Sequence, residues 1–409
     1  MRSPSRPSKR TIRRVALPVA TFSFVLAGCG GGQAARVASS SSTVPTTTPT
    51  VPPAPATTTP TAAPAPATPN HRMFAFYYLW WDTQHWHARL GPNYPYAASP
   101  LPLPATLSGD GCNVTNNFPG NQLTDVANPL WTQSDPSQIQ ADVNLAAHIG
   151  LAGFAVSWAG TGQANQTVNS STFNQRLAMV VDAVHKVNQA GTPFSLWIAY
   201  ISSAAIRTTD QINNDLSYLD KTYGTNPAFD HSNGGRPTLI MMGSRKYPIS
   251  LLNAFSAQWR PHFYLVGDEN WNTWDSAKAA DFDADQYYWS SQNPLTNKSS
   301  FTDISQLATE VRSSRNPDGS AKQFFAPLAP GYNKVLGGGS GCVPRAGGQT
   351  MRDIYAGNSA ADPNGWTVIS WNEIDEGTYI VPLERYGLQS VATLSSIIGQ
   401  PSTATGATG

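Results

Sequence analysis

Eight short apolar, β-rich runs alternate along this chain with segments of helical spacing, and that alternation limits the folds open to it. The runs are Met73–Leu79, Gly153–Trp158, Phe194–Ile201, Thr238–Met242, Phe263–Val266, Ala284–Trp289, Phe324–Leu328 and Thr367–Trp371. A helix is predicted over Pro136–Ile149, opening after Asp135 with proline at its first position. Another covers Phe173–Gln189, where Leu177, Val180, Val181, Val184 and Val187 share one face. Further helices are predicted over Thr209–Tyr223, Ile249–Gln258, Thr273–Ala280, Thr302–Ser313 and Gln349–Ala356, with a last one after Pro382. Such a series of strand–helix units predicts an α/β fold, a closed parallel (β/α)8 barrel of the TIM type, as a single domain over 71–399. The fifth and sixth runs are the weakest. Residues 80–135, rich in Pro, Asn and Gly, read as a loop, and a loop that long is usually functional.

In such barrels the active site lies at the C-terminal ends of the strands. The first run ends in Tyr77-Tyr78-Leu79-Trp80-Trp81-Asp82, followed by His85-Trp86-His87. Others end in Ser157-Trp158, Trp197-Ile198-Ala199-Tyr200 and Gly267-Asp268-Glu269-Asn270-Trp271, and the seventh leads into Pro330-Gly331-Tyr332. Twelve Trp and fifteen Tyr in a chain only 12% charged either line a cleft, where aromatic rings stack on the apolar faces of sugars, or fill a large core. The eighth run ends in Ser370-Trp371-Asn372-Glu373-Ile374-Asp375-Glu376-Gly377-Thr378. Glycoside hydrolysis usually needs two carboxyl groups, one protonated and one ionised, and close carboxylates push each other's pKa values apart. Asn372 can bond either a carboxylate or a sugar hydroxyl. The same cluster is compatible with a solvated acidic loop capping the next helix, or with a hard-cation loop. His148 and His185 fall inside helices and read as structural, His231 and His262 as incidental. For His85 and His87 ligand contact and a structural role stay open.

The N-terminus reads as an export signal over 1–28. Arg2, Arg6, Lys9, Arg10, Arg13 and Arg14 precede an apolar run from Val15 to Val25. That run is too short to cross a bilayer core of ~30 Å as a helix. It ends in Leu26-Ala27-Gly28-Cys29, which resembles the lipobox of bacterial lipoproteins. The resemblance implies a diacylglycerol on the Cys29 thiol, and a chain held at the outer face of the cytoplasmic membrane. Residues 29–70, dominated by Pro, Thr, Ala and Ser, read as a disordered linker, and 400–409 as a disordered tail. Loss of the signal removes six of the 26 bases and none of the 25 acids, leaving a net charge near −5. That balance argues against nucleic acid as a partner. A monomer is expected. Besides Cys29 the chain holds Cys112 and Cys342, read as one disulfide in an oxidising compartment or as two free thiols.

Taken in order, elements from about Phe74 to Pro382 resemble glycoside hydrolase family 99, the endo-α-1,2-mannosidases and mannanases. Phe76-Tyr77-Tyr78-Leu79-Trp80 with His85-Trp86 is similar to the family's opening strand and His-Trp element. Asn93-Tyr94-Pro95, Asp135-Pro136-Ser137, Ser157-Trp158, Tyr223-Gly224 with Asn226-Pro227-Ala228-Phe229, and Pro330-Gly331-Tyr332 follow in register. Asn372-Glu373-Ile374-Asp375-Glu376-Gly377-Thr378 resembles the family's Asn-Glu-Trp-His-Glu-Gly-Thr. The resemblance implies a β/α barrel and a retaining O-glycosyl hydrolase, α-mannosidase-like, with a glycan as substrate and no metal or organic cofactor. By position Glu373 would deprotonate the substrate's 2-hydroxyl, giving a 1,2-anhydro sugar, and Glu376 would protonate the leaving oxygen. Tyr77, Tyr78, Trp80, Trp81, His85, Trp86, Trp158, Tyr200, Tyr332 and Asn372 are the substrate-binding candidates.

Two departures bear on the sugar. The family's Trp-His between the glutamates is Ile374-Asp375 here, and its third-strand His-Ile-Glu-Pro-Tyr is Trp197-Ile198-Ala199-Tyr200-Ile201. The lost groups would touch the sugar, so the mannose assignment does not carry over intact. Asp268, Glu269 and Asp375 are acids available to substitute in binding. A non-catalytic glycan-binding lipoprotein and a wall-glycan transglycosylase are the alternatives to a hydrolase.

Overall fold

A computed structural model of the chain describes residues 72–97, 112, 122–162, 170–201, 207–339 and 341–399. Cys29, the signal, the linker and the 400–409 tail lie outside the described residues. The strands are β1 (Arg72–Tyr78), β2 (Gly153–Trp158), β3 (Ser195–Tyr200), β4 (Thr238–Met241), β5 (Tyr264–Asp268), β6 (Ala284–Gln286), β7 (Gln323–Leu328), β8 (Tyr332–Asn333), β9 (Cys342–Val343) and β10 (Gly365–Val368). The helices are α1 (Thr83–Leu90), α2 (Pro136–His148), α3 (Ser170–Gln189), α4 (Thr209–Tyr223), α5 (Ile249–Trp259), α6 (Ser276–Ala279), α7 (Ser299–Ser313), α8 (Gln349–Ser359) and α9 (Gln389–Ile398). Eight strands close a parallel barrel in the order β1-β10-β7-β6-β5-β4-β3-β2, and β8 pairs with β9 as an antiparallel hairpin outside it. The fold is the (β/α)8 barrel that the alternation predicts.

Strand alternation divides the side chains into two layers. Phe74, Phe76 and Tyr78 of β1 point into the barrel with Ala155, Trp197, Ala199, Val266 and Phe325. There Trp197 stacks on Phe74 at 3.9 Å between ring centroids and meets Phe325 edge-on at 4.9 Å. Met73, Ala75, Tyr77 and Leu79 point outward and pack with Phe154, Val156 and Trp158 against the helices. Helix starts follow local chemistry. Asp135 accepts the Ser137 N–H at 2.9 Å ahead of Pro136 in α2. Thr208 and Gln211 form a reciprocal capping box on α4.

Three expectations need correction. Residues 80–135 are not all loop, since α1 occupies Thr83–Leu90. Asp82 caps it by accepting the His85 N–H at 2.8 Å, and Gly91, at φ 76°, ends it. This helix is short and polar, without the apolar spacing that reveals longer ones. The sixth run stops at Gln286 rather than Trp289, because the Tyr288 N–H turns to the Asp268 carboxylate at 3.1 Å instead of a ladder carbonyl. The fifth extends to Asp268, past Val266.

Candidate active site

The segment after β10 folds back on itself and places its carboxylates at the C-terminal mouth of the barrel. The Ile369 and Trp371 N–H groups donate to Leu328 and Phe76, continuing the ladder on both sides. Between them, the Ser370 N–H turns to the Thr378 carbonyl at 2.8 Å. The Glu373 N–H donates to Ser370 Oγ at 2.7 Å, and the Thr378 N–H to the Glu373 carbonyl at 3.2 Å. Gly377 closes the turn at φ 66°, and a Cβ there would meet the Asn333 carbonyl oxygen at 2.9 Å, so the position requires glycine. The Asn333 N–H donates to the Glu376 carbonyl at 2.7 Å, tying the β8–β9 hairpin to the acidic turn. A disulfide joins Cys342 of β9 to Cys112, with a Cα–Cα distance of 5.7 Å.

Glu373 is buried, and the Asp375 N–H donates to its Oε1 at 3.1 Å. Burial, then the neighbouring Asp375 and Glu376 carboxylates, push its pKa well above the usual range. Lys334 Nζ lies 3.2 Å from Glu376 Oε1, and Ser290 Oγ lies 3.5 Å from Oε2. Burial opposes the Lys334 charge, but the Glu376 carboxylate outweighs it and raises the ammonium's pKa. Arg89 of α1 holds Asp375 Oδ2 through Nε at 3.0 Å and Nη2 at 2.9 Å, and His85 Nε2 approaches the same oxygen at 3.4 Å. Burial alone would raise Asp375, but the His85 hydrogen bond and the Arg89 charge win and lower it. Each outer carboxylate thus faces a cation of the chain itself. Tyr78 and Tyr288 share a hydroxyl–hydroxyl hydrogen bond at 2.8 Å, and the pKa values of both rise through burial and through charges that include Glu373 and Glu376. Tyr332, half-buried, is raised by burial and then by Glu376.

The remaining candidates divide between site and scaffold. Trp80 is partly buried at the mouth, 4.4 Å from the Tyr78 ring and 6.1 Å from His85. Tyr77, Trp158 and Tyr200 are not in the cleft, because their positions on β1, β2 and β3 have outward parity. The Tyr77 hydroxyl donates to Asp142 at 2.9 Å, the Trp158 indole to Asn174 at 2.8 Å, and the Tyr200 hydroxyl to Asp215 at 2.7 Å. Trp81 and Trp86 are buried, their indoles donating at 2.7 Å to the carbonyls of Asn372 and Trp131. Asn372 is fully buried rather than open to a ligand: its amide accepts the Tyr78 N–H at 2.7 Å and donates to the Tyr78 carbonyl at 3.0 Å. Asp268 and Glu269 are buried too. Asp268 accepts from the N–H groups of Gly243 and Tyr288 and from the Gln286 amide, and pairs with Arg245 at 3.0 Å. Glu269 accepts from Ser244 at 3.1 Å, and burial lifts its pKa to about 7. Asp268 shares the inward face of β5 with Val266, and its charge adds to the rise in the pKa of Tyr78. Where the resemblance expects an acid on the third strand, Ala199 points into the barrel. His87, exposed on α1, stacks on Tyr96 at 3.9 Å.

No family model matches the chain, and no curated protein matches it either. Solved structures do. An endo-α-mannosidase of glycoside hydrolase family 99 from Bacteroides thetaiotaomicron, in complex with bis-tris-propane, superposes with a TM-score of 0.58 at 15% identity. The match covers 81% of this chain and 97% of that one. The chain has the family 99 fold. A second structure of the same enzyme gives 0.57 at 16% identity, with the same coverage. A glycoside hydrolase-like protein gives 0.54 at 12% identity, covering 83% of this chain and 97% of that one. The family 99 fold accounts for the order of the elements quoted above.

Sequence reasoning missed Lys334, Ser290, Tyr288 and Arg89, as well as two residues that shape the β1 end. Gln133 accepts the Trp81 N–H at 2.8 Å and donates to the Tyr78 carbonyl at 2.7 Å. Arg176 of α3 donates to the Leu79 carbonyl at 2.6 Å and to Asp82 at 2.8 Å. Lys334 carried a usable signal, standing two residues after the tyrosine of the Pro-Gly-Tyr element. The others reach the site from distant elements.

Proposed function

We propose that the chain is a glycosidase that cleaves a polysaccharide or glycan with Glu373 and Glu376 as its acid–base pair. The observation that carries this reading is the pair itself: one glutamate buried with its pKa raised, the other matched to a lysine, both on one turn at the barrel mouth. General acid–base cleavage of a glycosidic bond needs two carboxyl groups in opposite protonation states. Retention through a 1,2-anhydro sugar, and an α-mannoside substrate, belong to this proposal on the strength of the family resemblance. Incubation with a polysaccharide panel that includes α-mannans tests it. The wild type releases sugar, and Glu376→Gln abolishes release while the fold stays intact; unchanged turnover in that variant sinks the assignment. One observation favours a second reading, a non-catalytic glycan-binding protein: Ala199 stands inside the barrel where the family carries an acid. That reading expects retention on the same glycans without products. Export and a lipid anchor on Cys29 complete the proposal and place the barrel within reach of cell-surface glycans. Mass spectrometry of the mature N-terminus tests the anchor, and an unmodified Cys29 would refute it.

A further inference from the structure

We propose that the Cys112–Cys342 disulfide is a positioning element of the site: it straps the β8–β9 hairpin to the α1–α2 connection and so holds Asn333 and Lys334 against the acidic turn. The inference rests on the glycosidase reading and names what keeps the surroundings of that turn in place. In the barrel, β10 lies between β1 and β7. The turn after β10 is therefore flanked by two excursions of the chain. One follows β1 and carries α1 and Cys112; the other is the hairpin after β7, which carries Cys342. Each brings one cation to the turn. Arg89 of α1 holds Asp375, and Lys334 of the hairpin faces Glu376. The Gln122 N–H donates to the Arg89 carbonyl at 2.7 Å, and the Gln122 side chain accepts from Arg89 Nη1 at 3.3 Å, so the α1–α2 connection is bonded back onto α1. The disulfide ties the two excursions to each other.

The hairpin's own pairing is too slight to hold this position. It has two rungs, Tyr332 with Val343 and Asn333 with Cys342, and an isolated two-stranded hairpin is marginal in water. Its tip carries Gly337, Gly338, Gly339 and Gly341, and glycine loses more conformational freedom on ordering than any other residue. Beyond β9 the chain is fixed by Arg345, which donates to the Gly377 carbonyl at 3.0 Å and lies 4.2 and 4.1 Å from the Tyr379 and Tyr386 rings. Lys334 stands on the other side of the glycine tip from that anchor. Cys342 is the register partner of Asn333, whose N–H donates to the Glu376 carbonyl at 2.7 Å, and Lys334 follows directly. The covalent bond thus acts on the rung that touches Glu376. Cys112 and Cys342 are positioning residues, acting through Asn333 and Lys334.

Trace labelling of lysines with acetic anhydride, read by mass spectrometry on the full protein, tests the strap without substrate. Burial opposes the Lys334 charge and the Glu376 carboxylate restores it, so little free amine is present to react. In the wild type Lys334 therefore labels more slowly than the exposed Lys298. Dithiothreitol opens the bridge by thiol–disulfide exchange: two electrons and two protons pass from the dithiol to the bridge, leaving two protein thiols and the cyclic disulfide of the reagent. In the reduced protein, and in the Cys112→Ser, Cys342→Ser variant, Lys334 labels roughly tenfold faster, the effect of losing one ion pair. Lys322, buried at the opposite end of the barrel, stays protected. Unchanged labelling of Lys334 overturns the proposal, as does an equal rise at Lys322, which marks a bond that only stabilises the whole fold. The reduced wild type keeps this arm decisive even if the serine variant fails to fold. On a glycan the wild type cleaves, the serine variant loses on the order of tenfold in kcat with a smaller change in KM. Adding Lys334→Met to it costs less than the product of the two separate losses; losses that multiply in full refute action through Lys334. If no glycan is cleaved, the glycosidase reading fails, while the labelling of Lys334 still decides whether the strap holds.

Discussion

Asn372 offers the sharpest test of how the acidic turn is held. Its side chain accepts the Tyr78 N–H at 2.7 Å and donates to the Tyr78 carbonyl at 3.0 Å, fully buried. Asn372→Ala removes both bonds. The Tyr78 carbonyl keeps the Gln133 amide at 2.7 Å, but the Tyr78 N–H loses its partner. One orphaned buried donor and one lost hydrogen bond together cost about 2–4 kcal/mol. Asn372→Asp has nearly the same shape and a different signature. Ionised, it sets an acceptor against the Tyr78 carbonyl and adds a charge beside Glu373 and Asp375; protonated, it can donate as the amide does. Its folded pKa therefore lies above its unfolded value of about 3.9. The folded state then binds more protons than the unfolded one, so stability falls as pH rises above that value, by up to about 1.4 kcal/mol per pH unit until the folded pKa is passed. Denaturant unfolding followed by tryptophan fluorescence at pH 4 to 8 measures this. Asn372→Asp approaches the wild type at the acid end and diverges toward neutrality, whereas Asn372→Ala is offset at every pH. An alanine variant within about 0.5 kcal/mol of wild type, a change typical of uninvolved surface positions, would refute the reasoning, as would parallel pH curves for the two variants.

Other consequences follow from single features. The disulfide closes a segment of 230 residues, for which chain entropy sets a ceiling of about 5 kcal/mol. The Cys112→Ser, Cys342→Ser double variant should lose roughly 2–5 kcal/mol in denaturant unfolding, and a variant as stable as the wild type would show that the bond adds nothing. Asp142 is buried behind β1 with its pKa lifted by burial to about 7. A raised carboxyl pKa means stability that declines as pH climbs from the unfolded value toward 7. Asp142→Asn should therefore gain stability relative to the wild type between pH 5 and 8, and a difference in melting temperature that is the same at both values counts against it.

The strand–helix alternation determined the barrel, because period-2 and period-3.6 apolar patterns are local properties that survive without knowledge of neighbours. The paired glutamates were legible for the same reason, since one turn of chain holds them. Which face a residue uses was not. Tyr77 and Tyr78 are adjacent and both aromatic, yet one hydroxyl meets Asp142 outside the barrel and the other meets Tyr288 inside it. A shift of one residue in strand parity exchanges those fates, and only closure of the sheet settles it. The same holds for Trp158 and Tyr200, read from the sequence as cleft residues and found packed behind it. The charge pattern of the site is tertiary as well. Arg89 reaches Asp375 across 286 residues, and Lys334 reaches Glu376 from a separate hairpin. The sequence determined where two carboxyl groups stand; the folded surroundings decided what each of them meets, burial beside Asp375 for Glu373 and the ammonium of Lys334 for Glu376.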